Sequence, residues 1–475
     1  MAIASPHRPL RFWDLTLYAV AMGFSIRWVA AAAAAGPVSI VLWVLAMVGF
    51  MGPLVLATAE LTSRFPGDGG IYAWTGRTLG PFAGFLCGWL YWASNLPFFS
   101  TLTYFIINVL GVVAGPRAEG MLKDPTVFAS LAIVLILIVA GLHLLGLGVG
   151  KWLTNLGAAA SFGLVAVVIG AGAILAVRDG PATDFAHASY ALPINADGAA
   201  MWATMVFAFG GPEALAFLKG DVDGGTRQIL RVLAVAAVAV IAAYVGGTLG
   251  MLSVLKPDEA SRLSGVPDAL RLALTRLDLA SLSPAALILL AAGTLGSLSA
   301  WFGVAARLPF VIGVDRYLPA AFGHRDRRTG APVVSILVQT AVVIALIILS
   351  QAGETVKAAY DFLISMSVLS YTIPFAVLFV VFLIVQGRPA PAGEWTAPGG
   401  PPMGRLIGTV GLAVTLTAIA CTLVPSPDAA DKIAALIKLV VASAALIAWG
   451  GLIYLIASLR RPVIAPAGTG GAASG

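Results

Sequence analysis

Charged residues are scarce in this chain. Asp, Glu, Lys and Arg make up 11% of its 475 residues, whereas hydrophobic residues make up 59%. A soluble domain usually has about a quarter charged residues and about half apolar residues, so this composition is typical of a membrane protein. The net charge of +6 does not indicate nucleic-acid binding, because the basic residues are spread between apolar segments rather than gathered in one patch.

Cysteine and histidine are also rare. The two cysteines, Cys87 and Cys421, lie in separate apolar stretches, and the four histidines are scattered, so we expect neither a disulfide framework nor a metal site. The sequence has no glycine-rich phosphate-binding loop of the Walker type, which argues against an ATP-driven pump. It also shows no Ser/His/Asp or paired-carboxylate arrangement within the apolar segments. We therefore predict no enzymatic activity and no cofactor.

Long apolar runs occupy most of the chain. A membrane-spanning helix needs about 20 mostly apolar residues, and about 12 segments meet this requirement. They predict an all-α integral membrane protein. The segments are 14–35, 38–62, 80–114, 125–147, 152–177, 199–218, 228–255, 282–311, 331–350, 357–386, 403–425 and 432–458.

The basic residues predict the orientation of these helices. Most Lys and Arg residues fall in alternate loops, as in 325–328, and such loops usually face the cytoplasm. We therefore expect a multi-pass protein of the cell (plasma or inner) membrane with both termini in the cytoplasm. The loop 256–281 is an exception, because it is basic but falls on the predicted outer side. Its leucines recur at helical spacing, which predicts an amphipathic helix on the outer face.

Two of the apolar segments are interrupted. The first contains Met22-Gly23-Phe24-Ser25, and the sixth contains Phe207 to Glu213 with Gly210-Gly211-Pro212 at its centre. Proline has no N–H and glycine is a poor helix former, so both breaks free backbone groups in the membrane. Because these segments begin the two five-helix halves, the pair predicts a binding site of the kind found in secondary transporters. The alternative for Gly-Gly-Pro is a kink that helps the helices pack.

Two charged residues lie beside these breaks. A charge within the bilayer costs at least about 2.5 kcal/mol, so Arg27 needs a partner or a water-filled cavity. Our hypothesis is that Arg27 faces a central cavity and holds a substrate carboxylate or replaces a coupling cation; the alternative is a fixed structural pair. Glu213 is a candidate for binding a coupling proton or a substrate amine; the alternative is a structural hydrogen bond. Glu60 lies four residues before Arg64, which predicts a helical ion pair.

Several short motifs occur in a characteristic order. They are Ala59-Glu60-Leu61, Phe65-Pro66, Gly69-Gly70-Ile71-Tyr72-Ala73-Trp74, Gly296-Ser297-Leu298 with Trp301, Asp315, Leu318-Pro319 and Gly330-Ala331-Pro332. With the broken sixth helix, they resemble the amino acid–polyamine–organocation transporter superfamily over roughly residues 12–385.

The resemblance implies a five-plus-five inverted repeat of the leucine-transporter type followed by two more helices, with alternating access around a site in mid-membrane. It implies that Phe207 is a gating aromatic residue and that Trp301 packs on substrate. Asn95 and Ser365 resemble polar site residues of the third and tenth helices. The substrate-binding residues we predict are Met22, Gly23, Phe24, Ser25, Arg27, Asn95, Phe207, Ala208, Phe209, Gly210, Gly211, Trp301 and Ser365. The fifth-helix lysine of some proton-coupled relatives is replaced by Ser161-Phe162-Gly163.

These observations predict the organisation of the whole chain. The predicted parts are a cytoplasmic N-terminus (1–13), a transport core (14–386) with repeats at roughly 14–177 and 199–386, a Pro/Gly linker (387–402), helices eleven and twelve (403–458) and a disordered cytoplasmic tail (459–475).

The predicted function is secondary active transport, as a permease or antiporter, of amino acids or related amines. Two alternatives stay open: a substrate-binding receptor on a transporter fold, and a polyamine or organic-cation carrier. The predicted partners are a small-molecule substrate and the lipid bilayer. Coupling to a proton or to sodium, and a homodimer, are also open.

Overall fold

The computed structural model describes residues 12–65, 70–145, 147–193, 195–211, 213, 225–307, 309, 317–326, 328–352, 354–390, 393–425 and 431–459. Within these ranges the chain is all-helical and contains no β-strand. Most of the predicted N-terminal segment and nearly all of the predicted tail lie outside the described residues.

The helices are numbered in chain order. They are α1 (Phe12–Gly23), α2 (Ile26–Ala34), α3 (Val38–Arg64), α4 (Gly70–Leu79), α5 (Pro81–Ala114), α6 (Pro116–Met121), α7 (Pro125–Leu144), α8 (Leu147–Asp179), α9 (Ala196–Ala208), α10 (Gly225–Val254), α11 (Gly265–Arg276), α12 (Ser283–Ala305), α13 (Val333–Gln351), α14 (Val356–Val385), α15 (Gly400–Thr422) and α16 (Lys432–Leu459).

Ten of the described helices are long and apolar enough to cross a membrane: α3, α5, α7, α8, α10 and α12 to α16. They correspond to ten of the predicted segments, which confirms the all-helical membrane fold. The first segment is divided into α1 and α2. The described part of the sixth predicted segment consists of α9, residues 209–211 and Glu213. The total of twelve helices and the inverted repeat stay predictions.

Local sequence explains several helix boundaries. The Asp124 carboxylate accepts hydrogen bonds from the N–H groups of Thr126 and Val127, and Pro125 occupies the first position of α7, where its missing N–H has no consequence. Within α3, Met47–Met51 forms a π-helical turn just before Pro53. Proline cannot donate in the regular helical ladder, so the wider turn occurs where that ladder is interrupted.

The helix ends gather on two sides of the molecule. We call one the Arg64 side; it contains the ends of α3 and α14 and the residues that follow α14. The other is the Arg262 side, which contains the ends of α2 and α10 and the starts of α9, α11 and α14.

The predicted amphipathic helix in loop 256–281 is α11. Its apolar residues Val266, Ala269, Leu270 and Ala273 are buried, and the helix contacts α2, α8 and α12. Its apolar face therefore packs on the protein itself.

The predicted linker at 387–402 is attached to the end of α3. Glu60 forms the predicted ion pair with Arg64, at 2.7 Å, so that prediction is confirmed. The other oxygen of Glu60 accepts from the N–H of Ala397, at 2.8 Å. The Trp395 N–H donates to Ser63 Oγ, at 2.8 Å. These bonds hold this part of the linker against α3 on the Arg64 side.

Small residues allow close helix crossings. A Cβ atom at Gly172 of α8 would lie 2.5 Å from the Cα of Gly250 in α10, and one at Gly157 would lie 2.6 Å from the Cα of Gly296 in α12. Backbones approach this closely only where no side chain separates them, as is common between membrane helices.

We expect Gly172→Ala to lower the thermal unfolding temperature of the detergent-purified protein. The added methyl group must push α8 and α10 apart, and overpacking of this kind costs on the order of 1–3 kcal/mol. Gly163→Ala, on the same helix, is the matched control, because nothing lies within 4 Å of the added carbon. Equal unfolding temperatures for the two variants would contradict this packing argument.

Candidate functional site

The first helix break lies at Phe24 and Ser25, between α1 and α2. Ser25 has an extended backbone (φ −141°, ψ 125°) and precedes the first turn of α2. The first N–H groups of α2 therefore point towards the break without partners inside the helix, and the last carbonyl groups of α1 point to it from the other direction.

The second break follows α9 and contacts the first. Gly211 adopts φ +119°, a conformation that favours glycine, and a Cβ atom there would lie 2.5 Å from the Met22 carbonyl oxygen. Only glycine allows the two interrupted segments to approach this closely. The predicted residue Pro212 lies outside the described residues.

The hydroxyl of Tyr244, on α10, lies between the two breaks. It accepts from the Ser25 N–H at 3.3 Å, and it lies 3.1 Å from the Gly23 carbonyl oxygen and 3.0 Å from that of Ala208, to either of which it can donate. Its ring stacks on Trp43, with ring centroids 4.2 Å apart. One hydroxyl group thus lies within hydrogen-bonding distance of backbone groups from both breaks.

A cavity lies between the breaks. Its solvent-accessible volume is about 50 Å³. Because one water needs roughly 10–15 Å³ of such volume, the cavity has room for a few waters or a small polar solute. The described wall carries no charged side chain. It consists of Met22, Gly23, Phe24, Ser25, Trp28, Ser94, Asn95, Phe98, Leu102, Phe207, Ala208, Gly210, Tyr244, Ser297, Trp301 and Tyr371.

Aromatic rings form much of this wall. Phe207 makes edge contacts with Trp28, Phe98 and Tyr371, at centroid distances of 5.5, 6.0 and 5.2 Å. Phe98 also contacts Trp301, at 6.2 Å. Trp28 and Phe207 belong to α2 and α9, which lead to the Arg262 side, so their contact lies on that side of the cavity.

Most of the predicted substrate-binding residues meet in this cavity. Those in its wall are Met22, Gly23, Phe24, Ser25, Asn95, Phe207, Ala208, Gly210 and Trp301. Four predicted residues are not among the described wall residues: Arg27, Phe209, Gly211 and Ser365. Phe209 packs on Trp43 and Tyr244. Ser365 lies in a separate pocket with Phe362 and Thr422, because its face of α14 is turned towards α15 and α16.

Arg27 lies behind the wall, on its Arg262 side. It is 1% exposed, and its guanidinium lies 5.0 Å from the Trp28 ring and 5.2 Å from the Phe98 ring. Its Nε and Nη1 donate to Ser25 Oγ and Thr101 Oγ1, at 3.3 and 3.1 Å. Among the described residues, Nη2 has no hydrogen-bond partner, and Arg27 forms no salt bridge of 4.0 Å or less.

Glu213 lies behind the wall at a different position. Its Oε1 accepts from the hydroxyl groups of Tyr91, at 2.9 Å, and Tyr371, and its Oε2 accepts from the Gly211 N–H, at 2.8 Å. The carboxyl group therefore connects the second break to α5 and α14. Tyr371 touches both Glu213 and the cavity, so it is the link between them.

The sequence reasoning missed Tyr244 and Tyr371 as site residues. Tyr244 is the sole polar aromatic residue in a stretch of Ala and Val, and Tyr371 lies three residues before the proline inside α14. An isolated phenol in an apolar helix needs a partner, which is the signal that could have identified both residues.

The chain matches the amino acid permease family over residues 10–444, which is most of its length. It belongs to the amino acid permease family.

Proteins similar to this permease include transporters. An uncharacterized transporter of Legionella pneumophila is 24% identical over 419 residues, covering 88% of this chain and 89% of that protein. An uncharacterized transporter of Mycobacterium tuberculosis is 25% identical over 293 residues, covering 61% of this chain and 62% of that protein. A solved structure of the Eremococcus coleocola manganese transporter, in complex with an aromatic bis-isothiourea substituted compound, aligns with a TM-score of 0.52 at 13% identity. The alignment covers 96% of this chain and 97% of that one. That likeness shows that the two proteins share a fold.

We expect Tyr371→Phe to reduce uptake by this permease about tenfold, equivalent to the ~1.4 kcal/mol that one such hydrogen bond contributes. The ring stays in the wall, but the donor to Glu213 is lost. Uptake into proteoliposomes, normalised to folded protein, measures the effect. Tyr104→Phe is the control, since it removes buried hydrogen bonds with Ser350 and Gln351 away from the cavity. If both variants lose uptake equally, the link through Tyr371 has no specific role.

Proposed function

We propose that this permease carries small zwitterionic amino acids across the cell membrane by alternating access, as a secondary active transporter. One observation carries the proposal: the described cavity wall is uncharged, and it lies between helix ends of opposite polarity. A zwitterion matches this arrangement because it has no net charge and has two charged groups to place.

The start of α2 supports binding of the carboxylate. Helix N-termini carry a partial positive charge and unpaired N–H groups, and they bind anions readily. The first N–H groups of α2 belong to Ile26 and Arg27, directly after the wall residue Ser25. Arg27 adds a full positive charge behind the same part of the wall.

The ends of α1 and α9 support binding of the ammonium group. Both helices end at the breaks, where their last carbonyl groups carry a partial negative charge. Glu213 lies behind this part of the wall, bonded to the Gly211 N–H. The two buried charges, Arg27 and Glu213, therefore favour the same orientation of a zwitterion, acting through the wall rather than by direct contact.

The same arrangement disfavours two other substrates. A polyamine has no carboxylate to place near Arg27, and the described wall offers it no acid. A manganese ion is best bound by carboxylate, carbonyl or water oxygens. The described wall supplies carbonyl oxygens at the breaks and the amide of Asn95, but no carboxylate to balance the charge of a divalent cation.

We propose that both termini face the cytoplasm, so that the Arg64 side is cytoplasmic, and that Glu213 takes up the coupling proton. The contact of Tyr371 with both the cavity and Glu213 supports this route, since a phenol can both donate and accept.

The substrate class is tested by counterflow in liposomes that contain the purified permease. Counterflow measures carriage without an assumption about coupling. We expect unlabelled small neutral amino acids to exchange with their labelled forms, and the matching decarboxylated amines and polyamines to compete at least about tenfold more weakly, because each lacks the carboxylate–helix interaction. Protein-free liposomes are the control. Equal competition by amines would contradict the zwitterion proposal.

The coupling role is tested separately. We expect Glu213→Gln to abolish the dependence of net uptake on a pH gradient while counterflow continues. The amide oxygen still accepts from Tyr91 and Tyr371 but the side chain binds no proton, and only the bond from the Gly211 N–H to Oε2 is lost. Glu354→Gln, an acid outside the central cavity, is the control and should keep the pH dependence. An unchanged pH dependence in Glu213→Gln would identify the carboxyl group as a structural cross-link.

A further inference from the structure

Arg27 donates to two hydroxyl groups, and these groups differ in where their own hydrogen atoms go. Its Nη1 donates to Thr101 Oγ1, at 3.1 Å, and that hydroxyl donates in turn to the Phe98 carbonyl oxygen, at 2.8 Å. Its Nε donates to Ser25 Oγ, at 3.3 Å. Among the described residues, no group accepts the hydrogen of the Ser25 hydroxyl. Ser25 lines the central cavity, so this hydrogen is available to a solute there.

The guanidinium group fixes the direction of the Ser25 hydrogen bonds. A guanidinium has donors but no acceptor, so the Ser25 oxygen faces Arg27 with a lone pair and its hydrogen points elsewhere. The Ser25 N–H is already used, since it donates to the Tyr244 hydroxyl at 3.3 Å. The hydroxyl hydrogen is therefore the remaining donor of Ser25, and it is directed to the cavity. Because hydrogen bonds in a chain polarise one another, accepting from a charged group makes this hydroxyl a better donor.

The polar groups of α5 in the same wall have the opposite polarity. Ser94 Oγ donates to the Tyr91 carbonyl oxygen, at 2.8 Å, and Asn95 Nδ2 donates to the same oxygen, also at 2.8 Å. Both side chains use donors within their own helix, and their oxygens are left as acceptors. The Ser25 hydroxyl is thus a directed donor at the break where α2 begins, where the partial positive charge of that helix also favours an anion.

We propose that Arg27 is a positioning residue, which holds the Ser25 hydroxyl as a hydrogen-bond donor to a carboxylate group in the central cavity. The rings of Trp28 and Phe98 cover the guanidinium, so its charge acts on the ligand through this one hydroxyl group. The identity of the ligand rests on the proposed function, whereas the direction of the bond from Arg27 to Ser25 does not depend on it.

The first test examines the contact between Arg27 and Ser25 and needs no transport. Cys87 and Cys421 are replaced by alanine, Ser25→Cys is introduced, and the purified protein in detergent reacts with iodoacetamide, a small uncharged reagent, at neutral pH. The reactive form is the thiolate, which a neighbouring guanidinium group stabilises. We expect Arg27→Gln to slow the reaction at least about fivefold, and Arg27→Lys, which keeps the positive charge, to slow it less than about twofold.

Ser297→Cys in the same background is the matched control. Ser297 lines the same cavity from α12, and the described hydrogen bonds of Arg27 do not include it. Its reaction should change less than about twofold with Arg27→Gln, because the guanidinium does not contact this position. The control therefore separates a change in access to the cavity from a change at Ser25. No slowing at Ser25→Cys, or equal slowing at both positions, would overturn the proposal.

The second test measures substrate affinity by competition in counterflow. We expect Ser25→Ala to weaken competition by a small neutral amino acid about tenfold and to leave competition by the matching decarboxylated amine unchanged, because one bond to the carboxylate is lost. Arg27→Gln should weaken competition by the amino acid about threefold, because the hydroxyl stays but loses its fixed direction. The double variant should be no weaker than Ser25→Ala alone, because effects that act through one contact are not additive.

Ser94→Ala is the comparison variant for the second test. Its hydroxyl lines the same cavity but donates to the Tyr91 carbonyl oxygen, so the ratio of amino acid to amine affinity should stay within about twofold. An unchanged amino acid affinity in Ser25→Ala, or single losses that multiply in the double variant, would overturn the proposal. If the parent protein exchanges no amino acid, the proposed function fails, while the thiol reaction still decides whether Arg27 acts on the Ser25 position.

Discussion

The hydroxyl of Tyr244 makes the contacts on which the rest of the site depends. Interrupted helices expose backbone N–H and carbonyl groups inside a medium that cannot solvate them. Tyr244 satisfies groups at Ser25 and at Gly23 or Ala208, and its ring is held by Trp43. The two breaks can therefore lie against each other in the interior, and the cavity between them keeps the remaining helix ends available for a ligand.

The charged side chains of Arg27 and Glu213 lie close to this cavity but outside its described wall. Arg27 is covered by the rings of Trp28 and Phe98, and Glu213 is held by two phenol groups. A charged side chain in the wall would bind an opposite charge tightly and hinder its release. A neutral wall with charges behind it can orient a zwitterion while each contact stays weak.

Different contacts join the helices on the two sides of the molecule. On the Arg64 side, buried Glu60 joins α3 to the segment after α14 by accepting from the Ala397 N–H, and Arg64 joins the same elements by donating to the Arg388 carbonyl oxygen. On the Arg262 side, the pair of Arg262 and Asp361 joins the start of α11 to α14, with the aromatic contact of Trp28 and Phe207 beneath it. Entry from either side would separate different contacts, in keeping with the alternating access proposed above.

The sequence by itself determined the membrane helices, because each is a long apolar run whose cost of exposure to water is large. It also located the break in the first helix, since glycine and serine there interrupt a helical stretch, and it identified the Glu60–Arg64 pair from a helical spacing of four. Only the tertiary structure decided which side chains meet. Arg27 and Ser365 lie on helix faces turned away from the described cavity wall, and Tyr244 and Tyr371 reach the site from distant parts of the chain. The rotation of each helix depends on packing against its neighbours, often at glycines such as Gly172 and Gly250, and uniformly apolar helices carry little sequence signal for that rotation.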